Sequence, residues 1–199
     1  MEATPGEYIY FPHQNRSKLY FAKDGFIKIG YIDEQGNEVI KEIIRKGEVF
    51  GQLTLEKNND EDEFAQAYKG HVSLCAFTME DFVRLLQRKP EMATTFSFHL
   101  GKKLKKVENR LLNILNKDVK SRLVQLLLQL AIDNKSITGN RAVIEKFLTH
   151  EDIAKLIGSS RQTVTTTLNQ LEKDNLISIS KKEISINDLV LFKKAGENM

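Results

Sequence analysis

Up to about residue 80 the apolar positions alternate with polar ones in short runs, the period-two pattern of strands that bury one face. Lys18-Leu19-Tyr20-Phe21, Phe26–Ile32 and Glu38–Ile44 are rich in β-branched and aromatic residues. Between and after them lie Lys23-Asp24-Gly25, Asp33–Asn37 and Arg45-Lys46-Gly47, whose Gly and Asn suit turns that need positive φ. A further strand is expected at Val72–Phe77. Antiparallel strands in this order predict a barrel or a sandwich.

Beyond residue 80 the apolar period lengthens to that of a helix. Thr78 can cap a first helix, with Glu80 and Asp81 in its first turn. After Pro90, Leu100, Leu104, Val107, Leu111 and Ile114 recur in alternating steps of four and three. That narrow seam fits two helices wound about each other, so a homodimer is expected; the alternative is that the seam packs on its own β domain. Lys102, Lys103, Lys105, Lys106 and Arg110 flank it and are expected to keep the outer face in water. Asn116-Lys117-Asp118 breaks the pattern, with Asp118 as cap of a helix carrying Leu123, Leu126, Leu127 and Leu130. Asp133 to Arg141 reads as a loop.

From Phe147 to Val164 the pattern is two short helices joined tightly. Thr149 with Asp152 forms the spacing of a capping box, Gly158 can end the first helix in the left-handed conformation, and Ser160 can cap the second. Ala154 is small where two helices cross closely, while Ile153, Leu156, Val164, Leu168 and Leu171 supply the apolar contacts. This is helix-turn-helix spacing. Leu176–Ser180 and Glu183–Ile186 alternate about Lys181-Lys182, the pattern of a hairpin wing whose lysines can meet phosphates.

Charge sharpens the division. Residues 1–99 hold 12 Lys/Arg against 16 Asp/Glu, whereas residues 100–199 hold 18 against 11. A basic second half attracts a polyanion. A single cysteine, Cys75, forms no internal disulfide, no apolar run approaches the roughly 20 residues that span a bilayer, and no signal peptide is visible; no membrane partner and a cytoplasmic location are expected. No phosphate-binding glycine loop, zinc-protease motif or nucleophile elbow occurs, so the chain is not expected to be an enzyme.

Thr149 through Ser178, with Gly158–Val164 and Leu171–Ser178, resembles the CRP/FNR family of bacterial transcription regulators. The resemblance implies an α+β chain: a jelly-roll, cyclic-nucleotide-binding-like antiparallel β-barrel over residues 1–90, a long dimerisation helix over 91–117 and a winged helix-turn-helix DNA-binding domain over 118–199. It also implies double-stranded DNA as partner, RNA polymerase as a candidate protein partner, and a homodimer reading an inverted repeat with half-sites about 34–36 Å apart. Arg161 and Gln162 stand where family members touch base edges; Arg161 suits a guanine and Gln162 an adenine. Thr149, Ser160 and Thr163 match phosphate-contacting positions, although capping alone explains Thr149 and Ser160 equally well. Thr165, Thr166, Lys181 and Lys182 complete the expected DNA-contacting set. Family members often carry Glu at the position of Gln162, and the catabolite-activator type has Arg at that of Thr166, so a different operator is expected.

The family's cyclic-nucleotide binders use a Gly-Glu-Leu turn and an Arg-Ser pair that neutralises the cyclic phosphate. Here the turn reads Gly51-Gln52-Leu53 and the pair falls near Glu63-Phe64, inside the acidic run Asp60–Glu63, with no arginine between Arg45 and Arg84. A buried phosphate without a cation is strongly disfavoured, so these residues are expected to form a pocket for a small-molecule effector other than cyclic AMP. No cofactor or metal is expected. His71 and Cys75, four apart on a strand, share a side but are too few for a metal or haem site. The competing function is a dimeric ligand-binding module that acts through protein contacts without DNA.

Overall fold

The computed structural model describes residues 1–11, 18–52 and 63–197, which divide into two units, Met1–Lys105 and Lys106–Met199. In the first, β1 (Glu2–Ala3), β2 (Tyr8–Tyr10), β3 (Lys18–Ile32), β4 (Glu38–Ile44), β5 (Val49–Gly51) and β6 (Glu63–Thr78) form one antiparallel sheet. Its path runs β1-β6-β3-β4, with β2 also on β6 and β5 also on β3. Inward residues of these strands make one apolar core, including Ala22, Ile27, Ile44, Phe50 and Leu74. Tyr20 stacks on Phe50 with ring centroids 5.0 Å apart. The turn at Asp33–Asn37 forms as expected, because the Asp33 carboxylate accepts from Gln35 N at 2.9 Å and Asn37 N at 2.7 Å.

Lys23-Asp24-Gly25 behaves differently from the expected turn. The two short runs on either side are one strand, β3, whose pairing with β6 shifts register between Ala22 and Ile27. Bulges absorb the extra residues and bend the strand. Gly25 sits at φ +81°, and a Cβ there would stand 2.6 Å from His71 O, so only glycine lets β6 pass. The Val72–Phe77 segment is the second half of β6.

Thr78 caps α1 (Met79–Arg88), accepting from Asp81 N. The long helix α2 (Pro90–Asn116) follows, and it buries none of its residues. Leu104 is 64% exposed, Val107 59%, Leu111 57% and Ile114 44%; Leu100 is half-buried. Within its own unit, each of these side chains keeps much of its surface open among the described residues. Lys103 is not simply in water: its Nζ lies 2.7 Å from Glu42 Oε2 of β4.

The second unit is built on α3 (Val119–Asp133), capped by Asp118, which accepts from Ser121 N at 2.7 Å. Hydrogen bonds from Ser121 are the largest influence holding the Asp118 carboxyl below its ordinary pKa. Leu123, Val124, Leu127 and Ala131 of α3 are wholly buried. β7 (Ile137–Thr138), β8 (Arg141–Glu145), α4 (His150–Ile157), α5 (Arg161–Lys173), β9 (Ile177–Ile179), β10 (Glu183–Ile186) and α6 (Leu189–Ala195) complete it. The segment expected as a loop over Asp133–Arg141 contains a hairpin, because Gly139 at φ +59° turns β7 back onto β8. β8 then pairs with β10, so the expected wing is part of a four-stranded sheet of order β7-β8-β10-β9. Among the described residues no helix is long and apolar enough to cross a membrane.

Candidate nucleic-acid interface

The capping box opens α4: Asp152 N donates to Thr149 Oγ1 at 3.1 Å, and Thr149 N donates to Asp152 Oδ2 at 3.0 Å. Asp152 is buried in this role. Gly158, at φ +63° and ψ +57°, closes α4, and Ser160 opens α5 by accepting from Thr163 N at 3.1 Å. On α4 and α5, which pack on each other, Ile153, Ala154, Val164, Leu168 and Leu171 are buried, with Leu156 half-buried. Ala154 keeps the crossing close.

Packing one side of α5 leaves the other side outward. Arg161, Gln162, Thr163 and Thr166 are exposed, and Asn169 and Lys173 continue the exposed surface. Asn169 was not among the expected contacts; helical spacing puts it seven residues, two turns, from Gln162. Thr165 is half-buried and its hydroxyl donates to Arg161 O at 2.9 Å. Of the expected phosphate contacts, Thr149 and Ser160 both serve as caps while remaining exposed.

His150 was also missed. Its Nδ1 lies 2.9 Å from Thr165 Oγ1, and since that hydroxyl gives its proton to Arg161 O, Nδ1 is the donor of the pair. Burial first, then the charges of Lys146 and Arg161, push the His150 pKa below its ordinary value. A neutral imidazole thus links the first turn of α4 to α5, at a place where cations already gather. Helix amides with no intrahelical partner point from both starts, so the region favours anions.

The wing tip is organised by Ser180, whose Oγ accepts from Lys182 N at 3.2 Å and Glu183 N at 3.0 Å. Lys181 and Lys182 are exposed. Glu172 Oε1 accepts from Ile179 N at 2.9 Å and so ties the wing to the end of α5. Lys146 N donates to Lys182 O at 2.7 Å, which brings a further lysine beside the tip.

In the first unit Gly51 pairs with Leu19, and Phe64 with Gly30, on β3. Gly51 at φ +87° has no room for a Cβ, which would lie 2.6 Å from Lys18 O. Gln52 is buried, and its N donates to Lys18 O at 3.0 Å. Leu53 and Asp60–Asp62 lie outside the described residues. Glu63 is buried; Tyr10 donates to its Oε1 at 2.8 Å and Lys41 Nζ to its Oε2 at 2.6 Å. Phe64 is wholly buried, with Lys28 Nζ 5.7 Å from its ring centroid. Lys28 in turn pairs with Glu38 at 2.8 Å. His71 Nε2 lies 3.6 Å from a Glu2 carboxylate oxygen, Cys75 is half-buried, and among the described residues no three metal-ligating side chains cluster.

Two family models match the chain: the Crp-like helix-turn-helix domain over residues 121–194 and the cyclic nucleotide-binding domain over residues 1–89. The chain is 31% identical over 187 residues to the global nitrogen regulator of Nostoc sp., covering 94% of this chain and 84% of that protein. It is 28% identical over 168 residues to the cAMP-activated global transcriptional regulator CRP of Salmonella typhimurium, covering 84% of this chain and 80% of that protein. Among solved structures, a CooA mutant from Carboxydothermus hydrogenoformans has the same fold, with a TM-score of 0.83 at 22% identity over 99% of this chain and 87% of that one.

Proposed function

The chain belongs to the CRP/FNR family of transcription regulators, and from that membership we propose that it is a homodimeric, sequence-specific DNA-binding regulator controlled by a small molecule other than cyclic AMP. One observation carries the DNA reading: α5 buries Val164, Leu168 and Leu171 and turns Arg161, Gln162 and Thr166 outward, beside a lysine-tipped wing. Such a helix enters a major groove; Arg161 and Gln162 address base edges, with Thr166 beside them, while Ser160, Thr163, Lys181 and Lys182 orient the helix on the phosphates; the Thr149 and Thr165 hydroxyls already give their protons to Asp152 and to Arg161 O and are left out of that set. The exposed seam of Leu104, Val107, Leu111 and Ile114, with Leu100, pairs two copies, so the operator is an inverted repeat. A regulator of this kind works in the cytoplasm and addresses RNA polymerase.

Selection of bound duplexes from a random pool tests the reading, because a regulator enriches one symmetric sequence and its affinity falls steeply with salt. On the selected duplex Arg161→Ala is expected to cost about 1–3 kcal/mol and to relax discrimination at one base position. Full retention of specificity in that variant would remove Arg161 from the contact set.

For the effector, the support is the buried Glu63 carboxylate, held by Tyr10 and Lys41, near where the resemblance sets the Arg-Ser pair of the family's cyclic-nucleotide binders. That ion pair commits the Lys41 ammonium to Glu63 rather than to an incoming phosphate. Calorimetry with cyclic AMP is expected to give no tight binding; tight binding that is lost in Gln52→Ala would refute this assignment.

A further inference from the structure

The turn of the helix-turn-helix passes through Gly158 at φ +63°, a residue whose missing side chain restrains its own φ and ψ very little. These two angles set the direction in which α5 leaves α4. At the same place α4 ends with the carbonyls that a helix's own amides leave unmet, since both Gly158 N and Ser159 N turn back to Ala154 O. One guanidinium answers both needs. Arg122, in the first turn of α3, donates through Nη1 to Ile157 O at 2.6 Å and to Gly158 O at 3.2 Å. Two successive peptide planes are thereby referred to a single rigid group, planted four residues after the Asp118 cap by the Arg122 N to Asp118 O bond of 3.0 Å.

Three details fit a positioning role. Arg122 Nε is buried with no hydrogen-bond partner among the described residues, so the side chain accepts a desolvation cost in order to reach the turn. Arg122 Nη1 lies against Gly158 itself, 3.4 Å from where a Cβ would stand. Arg110, near the end of α2, brings Nη2 to 3.5 Å from Lys155 O, one turn back along α4. The C-terminal end of a helix carries about half a negative charge, which favours cations there.

We propose that Arg122 is a positioning residue for DNA recognition: by bridging Ile157 O and Gly158 O it sets the orientation of α5, without touching DNA. The proposal rests on the reading that α5 enters the groove. It predicts that losing the bridge damages sequence discrimination more than general affinity for DNA, because phosphate contacts tolerate a misdirected helix and base-edge contacts do not.

The test uses the full chain, the duplex that it selects from a random pool and a scrambled duplex of equal length, with binding followed by fluorescence anisotropy. Arg122→Gln is expected to weaken binding of the selected duplex by on the order of tenfold, with a much smaller loss on the scrambled one. Arg122→Lys keeps one cationic donor but cannot span both carbonyls, and is expected to fall between Gln and the native residue. In DNA-free protein, amide exchange over residues 158–163 is expected to quicken in both variants while the melting temperature stays above that of the assay. Unchanged discrimination in Arg122→Gln, or equal losses on both duplexes that track the unfolded fraction, overturns the proposal; so does failure of both variants to fold, which makes the role structural. If the native chain enriches no sequence, the DNA reading itself fails, and unchanged amide exchange in Arg122→Lys then rules out the clamp separately.

Discussion

Replacing Leu104 and Leu111 together by glutamate is expected to turn the dimer into a monomer and to weaken binding of the inverted-repeat duplex by roughly 100-fold or more. Both side chains are more than half exposed in the single chain, so the change removes nothing from either unit's own core. In the proposed dimer the same positions would meet their symmetry mates, and four carboxylates would have to share an apolar seam. Charges taken out of water without partners are disfavoured far beyond what the remaining Val107 and Ile114 contacts offset. Once the copies separate, the second half-site no longer benefits from the high effective concentration that a linked partner supplies. Sedimentation velocity and anisotropy read the two effects. A dimer that persists, or a monomer that binds the full operator as tightly as before, would show that the seam is not what joins the copies.

Leu168→Ala should lower the stability of the second unit by about 2–5 kcal/mol. Leu168, on α5, is wholly buried, so truncation removes core contacts and leaves a cavity that close-packed surroundings only partly fill. Leu112→Ala serves as the comparison: its side chain is 53% exposed, and its loss should change stability of the DNA-free unit within about 0.5 kcal/mol. Urea unfolding of the two variants separates the cases, and DNA binding of Leu168→Ala should follow the folded fraction. Equal midpoints for the two would mean that α5 is not seated as described.

The turn chemistry of the DNA-reading half was legible because every device in it is local. Thr149 with Asp152, Gly158, Ser160 and Asp118 each act on amides or carbonyls within a few residues, so their meaning survives whatever the rest of the chain does. The features that escaped are non-local or weakly patterned. Gly25 reads as a turn residue, and only the approach of His71 O shows that it belongs to a bulge in a continuous strand. The polar run before Arg141 gives no apolar alternation, yet β7 forms because β8 is already held by β10. His150 and Lys146 carry no motif; they matter through Thr165 and Lys182, partners on other elements.

Periodicity, caps and glycine placement, which act over a few residues, thus sufficed for the class of fold, the start of α5 at Ser160 and the apolar line along α2. What faces what was decided by the tertiary structure alone. Glu172 holding the wing, Tyr10 and Lys41 holding Glu63, and Arg122 holding the α4–α5 turn each join groups from separate elements. Their energies depend on distances of about 3 Å that no spacing along the chain encodes, and that arise only once burial of the apolar faces has set the elements against one another.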